Sequence, residues 1–184
     1  PMTANDILES GEPNVIIATG STWRRDGVGR NISKPIAGSA KIFTPDDFVG
    51  ADIASGKLPS TFDGFKKITV YDDDHYYMGG ILAELLAANG CEVTLVTPAP
   101  MISYWTQFTL EQDRVLKLLL GLNVTLLTHH TLASHSLKTA TVTNSITSAE
   151  TTLASDAVVM VTDRIPNDSL YQELKPALAD GRLK

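Results

Sequence analysis

The sequence is short of cysteine, of long apolar runs and of positive charge, and each shortage excludes a class of protein. Cys91 is the only cysteine among 184 residues, which leaves no internal disulfide and no cysteine-based metal cluster. The four histidines show no zinc-site spacing, so no metal is expected. No apolar run approaches the roughly 18 residues that span a bilayer, so no membrane partner is expected. The net charge of −6 disfavours a nucleic-acid partner, and the lack of a signal peptide predicts a cytoplasmic chain.

The chain does contain alternating strand and helix patterns. They predict strands over 14–21, 68–73, 91–97, 123–128 and 156–162, and helices over 45–55, 76–89, 109–121 and from 169 onward. A weak alternation over 129–155 predicts a small antiparallel meander. The expected fold class is therefore α/β, a Rossmann-like open parallel sheet with a small antiparallel β insert. We expect a lead-in strand and connector over 1–67, an NAD(P)-binding-like domain over 68–168, and a C-terminal helix or linker over 169–184.

Residues 68–97 have the pattern of a dinucleotide-binding unit but lack its glycines. Such a unit needs G-x-G-x-x-G at the first strand-to-helix turn, where the glycines admit the pyrophosphate and pack the helix on the strand. Counted back from the end of the helix, the three glycine positions fall on Asp74, Tyr76 and Gly79. A register two residues earlier loses all three glycines, and we adopt the first because it keeps Gly79.

Three acidic residues, Asp72, Asp73 and Asp74, stand at this turn and allow three interpretations. They place negative charge near the helix N-terminus, where a phosphate would otherwise bind. We prefer the interpretation that the carboxylates cap the helix and leave the turn without nucleotide. The alternatives are a bound cation and a nucleotide held in an unusual way. Thr97 stands where a ribose-binding acid is expected, and His75 is expected to be an exposed turn residue.

Five segments of the chain carry a resemblance to a known family. They are Val15–Ser21, Tyr71–Gly80, Val93–Thr97, Trp105–Glu111 and Val158–Asn167. Together they resemble the C-terminal part of the trimethylamine/dimethylamine dehydrogenase group, within the Old Yellow Enzyme-like NADH:flavin oxidoreductases. The Tyr-Asp-Asp-Asp-His-Tyr-Tyr-Met-Gly-Gly run is the specific part, whereas the Ala-Thr-Gly run is shared with all glutathione-reductase-like flavoproteins. The resemblance covers nearly the whole chain.

The resemblance implies a larger parent protein whose cofactors lie outside this chain. In that family a β/α barrel carries FMN, and a four-cysteine segment carries a [4Fe–4S] cluster. Two glutathione-reductase-like domains follow, one with FAD or ADP and one that matches an NAD(P) domain. The chain would be the NAD-like domain with linkers to the FAD-like domain. Ala18, Thr19 and Gly20 would line the FAD or ADP site only in the full parent, and Gly79 would mark a degenerate, unoccupied dinucleotide loop.

The predicted function is that of a fragment of an amine-dehydrogenase-type flavoprotein, with a structural or docking role and no catalytic residue or cofactor of its own. Expected partners are the remaining domains of the parent and, by resemblance, an electron-transferring flavoprotein. Asp163 replaces a glycine of the relatives and disfavours a flavin there. The alternative is a working NAD(P)H-binding domain of an NADH:flavin oxidoreductase similar to 2,4-dienoyl-CoA reductase. The strand over 14–21 has no preceding partner and offers an unpaired edge to a homodimer.

Overall fold

The computed structural model describes residues 2–48 and 56–183. In chain order the elements are α1 (Ala4–Ser10), β1 (Ser21–Trp23), β2 (Ala37–Gly38), β3 (Lys41–Phe43), β4 (Lys67–Asp72), α2 (Tyr77–Ala88), β5 (Glu92–Val96), α3 (Gln112–Gly121), β6 (Thr125–Leu127), β7 (His130–His135), β8 (Thr139–Asn144), β9 (Glu150–Ala154), β10 (Ala157–Val161), β11 (Arg164–Pro166) and α4 (Ser169–Ala179). No helix of the described part is long and apolar enough to cross a bilayer.

The chain forms two compact units. Unit 1 consists of Pro1–Thr22 with Arg164–Lys184, and unit 2 consists of Trp23–Asp163. The segment boundaries predicted after residues 67 and 168 stay a prediction.

Unit 2 is built on a five-stranded parallel sheet in the order β3-β10-β4-β5-β6. β10 pairs with β4 from Ala157 opposite Ile68 to Val161 opposite Asp72, and β5 pairs with the other edge of β4. Asp72 is therefore the last residue of the central strand, at the carboxyl edge of the sheet. This arrangement confirms the predicted α/β class with an open parallel sheet.

The central strands are apolar because both faces of the sheet are covered. Alternate residues of β10 belong to different cores. Val159 and Val161 pack in the cluster that includes α2 residues, whereas Val158 and Met160 pack in the cluster that includes Leu132 of β7. The helices on one side and the meander on the other thus fix the position of the strand ends.

The predicted antiparallel insert is present as the meander β7-β8-β9, with β2 added in parallel to β7. Gly38 of β2 lies against His135, because a Cβ at position 38 would clash with the His135 ring and carbonyl. The Nδ1 atom of His135 accepts a hydrogen bond from the Ala40 N–H at 3.1 Å. Burial lowers the pKa of His135, which favours the neutral ring in this position.

The predicted start of α3 at Thr109 is wrong. Thr109 ends a short 3₁₀ helix, and Leu110 has a φ of 61°, so the chain turns before α3 begins at Gln112. The Thr109 hydroxyl donates to the Thr106 carbonyl at 3.1 Å instead of capping α3. Glu111 occupies the N-cap position without a side-chain cap bond.

The helix predicted over 45–55 is described only at its beginning. Pro45–Asp47 form a 3₁₀ turn, and the Asp47 carboxylate accepts the Thr44 N–H at 2.7 Å. Residues 49–55 of the prediction lie outside the described residues.

Unit 1 packs α1 and α4 around a small apolar cluster that includes Ile7 and Leu174. The predicted lead-in of residues 1–12 is largely helical. Thr3 and Asp6 form a capping box at the start of α1, and Gly11 ends it with a φ of 72°. The capping box is thus a sequence signal for this helix.

The buried strand predicted over 14–21 is wrong in its burial and its extent. Only Ser21 of this run lies in a strand, β1, which pairs with β11. Val15 and Ile17 pack against the unit 1 cluster, but Ile16 is 96% exposed. No neighbouring strand of the described residues covers the side of the segment on which Ile16 lies. Only the side with Val15 and Ile17 therefore packs against other residues.

Candidate functional site

The turn between β4 and α2 is the candidate site, because open α/β sheets bind ligands at the carboxyl ends of their strands. Asp72 and Asp73 are both fully buried there, and His75 is buried as well. Asp74 is half-buried, and Tyr76, the N-cap residue of α2, is exposed. The acidic run therefore points largely into the protein, and the prediction that His75 is a surface residue is wrong.

Asp72 holds the turn through its carboxylate. Its Oδ1 atom accepts the N–H of His75 at 2.9 Å and of Asp74 at 3.2 Å. Its Oδ2 atom is buried and has no partner among the described residues. Burial is the main reason that the pKa of Asp72 rises to about 7, and the two backbone bonds only partly oppose this rise.

The predicted capping of the helix by Asp72 and Asp73 is wrong. Tyr76, the N-cap residue of α2, makes no side-chain cap bond, and the carboxylate of Asp72 serves the N–H groups of the preceding turn instead. Asp73 is likewise turned away from the helix and toward another loop. The turn between Asp72 and Tyr77 has backbone N–H groups of its own that need acceptors. The Asp72 carboxylate accepts two of them and is therefore not available to the helix.

Gly79 makes room for Asp72. A Cβ at position 79 would lie 2.5 Å from the Asp72 Cγ atom and 2.6 Å from its Oδ2 atom. The third glycine of a dinucleotide loop permits close packing of helix on strand. Here the same close approach admits a protein carboxyl group against the first turn of α2.

Asp73 joins the turn to the loop that contains Asn31. Its Oδ2 atom accepts the Asn31 N–H at 2.8 Å, and its Oδ1 atom accepts the Asn31 side-chain amide at 2.6 Å. Gly29 lies so close that a Cβ there would clash with this carboxylate. Although burial opposes the effect, the hydrogen bonds from His75 and Asn31 hold the pKa of Asp73 below its usual value.

His75 lies between Asp73 and Thr97. Its Nε2 atom is 3.1 Å from the Asp73 Oδ1 atom, and its Nδ1 atom is 3.3 Å from the Thr97 hydroxyl. His75 has a φ of 64°, a left-handed conformation that is rare for a residue with a side chain. The Asp–His–Thr order resembles a catalytic relay, but Thr97 is fully buried and no substrate atom can reach its hydroxyl. The chain of contacts therefore serves to hold the turn closed.

The predicted site residues lie in different units. Gly79 is in unit 2, whereas Ala18, Thr19 and Gly20 are in unit 1. Gly20 has a φ of 74°, its carbonyl accepts the Asn167 N–H at 2.9 Å, and the Thr19 hydroxyl donates to the Asn167 carbonyl. Ala18 is exposed. Their role toward a flavin nucleotide stays a prediction.

Sequence reasoning missed the loop that contacts Asp73. Gly29 and Asn31 fall in an irregular stretch whose composition indicates only a connector. Neither the spacing of Asn31 from Asp73 nor the burial of His75 follows from a local pattern. In the described part of the chain, no group of three or more His, Cys, Asp or Glu side chains could hold a metal ion.

Comparisons with known proteins identify relatives for both the sequence and the structure. The profile of the OYE-like second alpha/beta domain family matches residues 52–144. Dimethylamine dehydrogenase from Hyphomicrobium sp. (strain x) is 33% identical over 130 residues, which cover 67% of this chain and 16% of that protein. The chain thus spans only a small part of this curated relative.

Two solved structures are similar over almost the whole chain. Histamine dehydrogenase from Rhizobium sp. 4-9 matches with a TM-score of 0.85 and 36% identity over 100% of this chain and 28% of its own. The 6-hydroxypseudooxynicotine amine oxidase from Pseudomonas geniculata N1 matches with a TM-score of 0.85 and 36% identity over 98% and 26%. The water-forming NADH oxidase from Lactobacillus brevis matches at 20% identity and a TM-score of 0.55, which shows a shared fold alone.

Proposed function

Because this chain belongs to the OYE-like second alpha/beta domain family, we propose that it is the NAD-like domain of an amine-dehydrogenase-type flavoprotein, with a dinucleotide slot closed by its own side chains. It is homologous to an amine dehydrogenase of which it covers 16%, and this supports a role as one domain of a larger protein. That role is architectural: the domain docks the remaining domains of the parent and has no activity alone. FMN, the [4Fe–4S] cluster, and FAD or ADP would then belong to those other domains.

The burial of Asp72 and Asp73 at the β4–α2 turn carries this proposal. A dinucleotide pyrophosphate binds at a helix N-terminus against backbone N–H groups. Here the Asp72 and Asp73 carboxylates, both fully buried, already accept the N–H groups of His75, Asp74 and Asn31. A phosphate would have to displace these side chains and approach the charge of Asp73, whose pKa is lowered.

Calorimetric titration of the chain with NADH, NADPH, ADP and FAD tests the closed slot. We expect no binding tighter than about 100 µM for any of the four nucleotides. Binding of NADH or NADPH above this affinity would contradict the proposal and support the alternative, a working NAD(P)H-binding domain. Titrations at two salt concentrations separate specific binding from general attraction of the nucleotide to the chain, because surface attraction weakens with salt.

Docking to an electron-transferring flavoprotein is the further partner that we propose for the parent protein. The closed slot supports this choice indirectly, since a domain that does not bind NAD(P)H leaves the parent to deliver its electrons elsewhere. Pull-down of the parent with such a flavoprotein, compared with a parent that lacks residues 23–163, would test whether this unit contributes to the docking surface.

A further inference from the structure

An exposed aromatic patch lies on the connection between β5 and α3 of unit 2. It consists of Trp105, Phe108 and Leu110, whose side chains are 40%, 68% and 92% exposed. The Trp105 and Phe108 rings are neighbours, with 5.6 Å between their centroids. The Trp105 N–H donates to the His75 carbonyl at 3.0 Å, so the patch adjoins the β4–α2 turn. Single exposed apolar residues are common, whereas contiguous apolar patches mark interaction surfaces.

The backbone beneath the aromatic patch is fixed by its own contacts. The 3₁₀ helix Tyr104–Thr109 lies between two left-handed residues, Ser103 with a φ of 49° and Leu110 with a φ of 61°. Beneath it, the buried Thr106 hydroxyl donates to the Oε1 atom of the buried Gln112 side chain at 2.7 Å. Side chains presented on an ordered backbone lose less conformational freedom when a partner covers them, which favours binding.

The aromatic patch carries no charge. Residues 93–110 include no Asp, Glu, Lys or Arg, and Glu111, the first charged residue after them, is paired with Arg114 at 3.7 Å. Permanent interfaces are rich in aromatic and poor in charged side chains, whereas transient electron-transfer encounters are small and are steered by charge. The patch therefore favours a partner that stays bound over one that binds and leaves.

We propose that a domain of the parent polypeptide outside residues 1–184 covers the aromatic patch permanently with an apolar surface of its own. This rests on the proposed function, in which the chain is one domain of a larger flavoprotein. The chain covers 28% of the similar histamine dehydrogenase, so the greater part of such a parent lies outside it. Domains on the same polypeptide stay near the patch at a high effective concentration, an advantage that a separate protein lacks.

Hydroxyl-radical footprinting of the parent flavoprotein and of the 184-residue chain tests the covering. The radical oxidises exposed Trp, Phe and Leu side chains, and mass spectrometry gives the rate at each residue. We expect the rates at Trp105, Phe108 and Leu110 to be at least about fivefold lower in the parent, because residues at the centre of an interface lose almost all contact with water. Leu137 is the matched control: it is 67% exposed but stands beside Lys138 without aromatic neighbours, and it should keep its rate.

A photoreactive side chain at position 108 identifies the occupant. The parent with p-benzoyl-phenylalanine in place of Phe108 should form a cross-link to a residue outside 1–184 of the same polypeptide, and should keep the mass of one chain on denaturing gels. The same replacement of Ile146, which is 71% exposed, should give no such cross-link. Because the footprinting uses the unmodified parent, its result stands even if a replacement at position 108 unfolds the protein.

Three results would overturn the proposal. They are equal oxidation rates at the patch in parent and chain, a cross-link from position 108 to a second copy, and protection that requires an added electron-transferring flavoprotein. Failure of the proposed function is a separate result, because NADH or NADPH would then bind in the calorimetric titration whether or not the patch is covered. An open patch in a parent whose slot binds no nucleotide would overturn the docking of this patch alone.

Discussion

Replacing Asp72 by Asn is expected to remove a large part of the pH dependence of stability above pH 5. Asp72 is fully buried, and burial raises its pKa from 3.8 to about 7. Because the folded protein keeps this proton to higher pH than the unfolded chain does, stability falls as the pH rises from about 4 to about 7. Asn retains an acceptor for the N–H groups of Asp74 and His75 but carries no charge at any pH.

The size of the effect follows from the pKa shift of Asp72. One pKa unit corresponds to about 1.4 kcal/mol, so a rise of about three units gives a total of about 4 kcal/mol. Between pH 5 and pH 8 the ionisation of Asp72 should lower the unfolding free energy by about 2.5 kcal/mol. Burial lowers the pKa of His135, which gives a slope of the opposite sign near its ordinary value. The quantity to measure is the difference in unfolding free energy between the variant and the unsubstituted chain, because the His135 contribution is the same in both and cancels.

Urea denaturation of the unsubstituted chain and of the variant at pH 5, 6, 7 and 8 gives this difference. Between pH 5 and pH 8 we expect the unfolding free energy of the variant to rise by about 2.5 kcal/mol relative to that of the unsubstituted chain. Asp156→Asn is the matched control. Backbone bonds from Lys67 and Lys66 and the Lys138 ammonium lower the pKa of Asp156 to about 2, so its stabilisation is complete above pH 5 and lost only in acid. A difference that stays constant with pH for Asp72→Asn would show that its carboxyl group is ionised in the folded protein and would refute the reasoning.

Two further substitutions test the packing of the closed turn. Gly79→Ala should lower the unfolding free energy by about 1–3 kcal/mol, because its Cβ would lie 2.5 Å from the Asp72 Cγ atom. Gly121→Ala has open space around it and should be neutral or stabilising by less than about 1 kcal/mol, so equal thermal shifts at the two positions would contradict the packing. Asn31→Ala should cost about 1.5–3 kcal/mol in urea denaturation, because a buried carboxylate loses its side-chain donor. A cost below about 0.5 kcal/mol would mean that the Asn31 N–H and His75 satisfy Asp73 without the Asn31 side chain.

The elements around the sheet could be predicted because their side-chain patterns are local. The helix expected over 76–89 is found at Tyr77–Ala88, and the strand expected over 91–97 is found at Glu92–Val96. Apolar spacing near 3.6 residues reports which face of a helix is buried. A short continuous apolar run is typical of a strand that is covered on both faces, as the central strands are here. The same reasoning failed for residues 14–18, which lie in no strand and of which Ile16 is 96% exposed.

The contacts of the turn could not be predicted because they join residues that are far apart in the sequence. Asn31 and Asp73 are separated by 42 positions, and no periodicity connects them. His75 was expected on the surface because turn residues usually are. Its left-handed backbone and its contacts with Asp73 and Thr97 place it inside instead.

The identity of the residues that fill this turn follows from the backbone they must serve. A strand-to-helix turn leaves N–H groups without acceptors, and in nucleotide-binding proteins phosphate oxygens accept them. Apolar side chains could fill the same space but would leave the N–H groups of Asp74 and His75 unpaired, at a cost of about 1–3 kcal/mol each. The Asp72 carboxyl group supplies the acceptor, and its raised pKa lets it do so with little buried charge below pH 7. The Asp72 carboxyl group thus supplies acceptors to the turn itself, and it occupies the room that Gly79 leaves beside the first turn of α2.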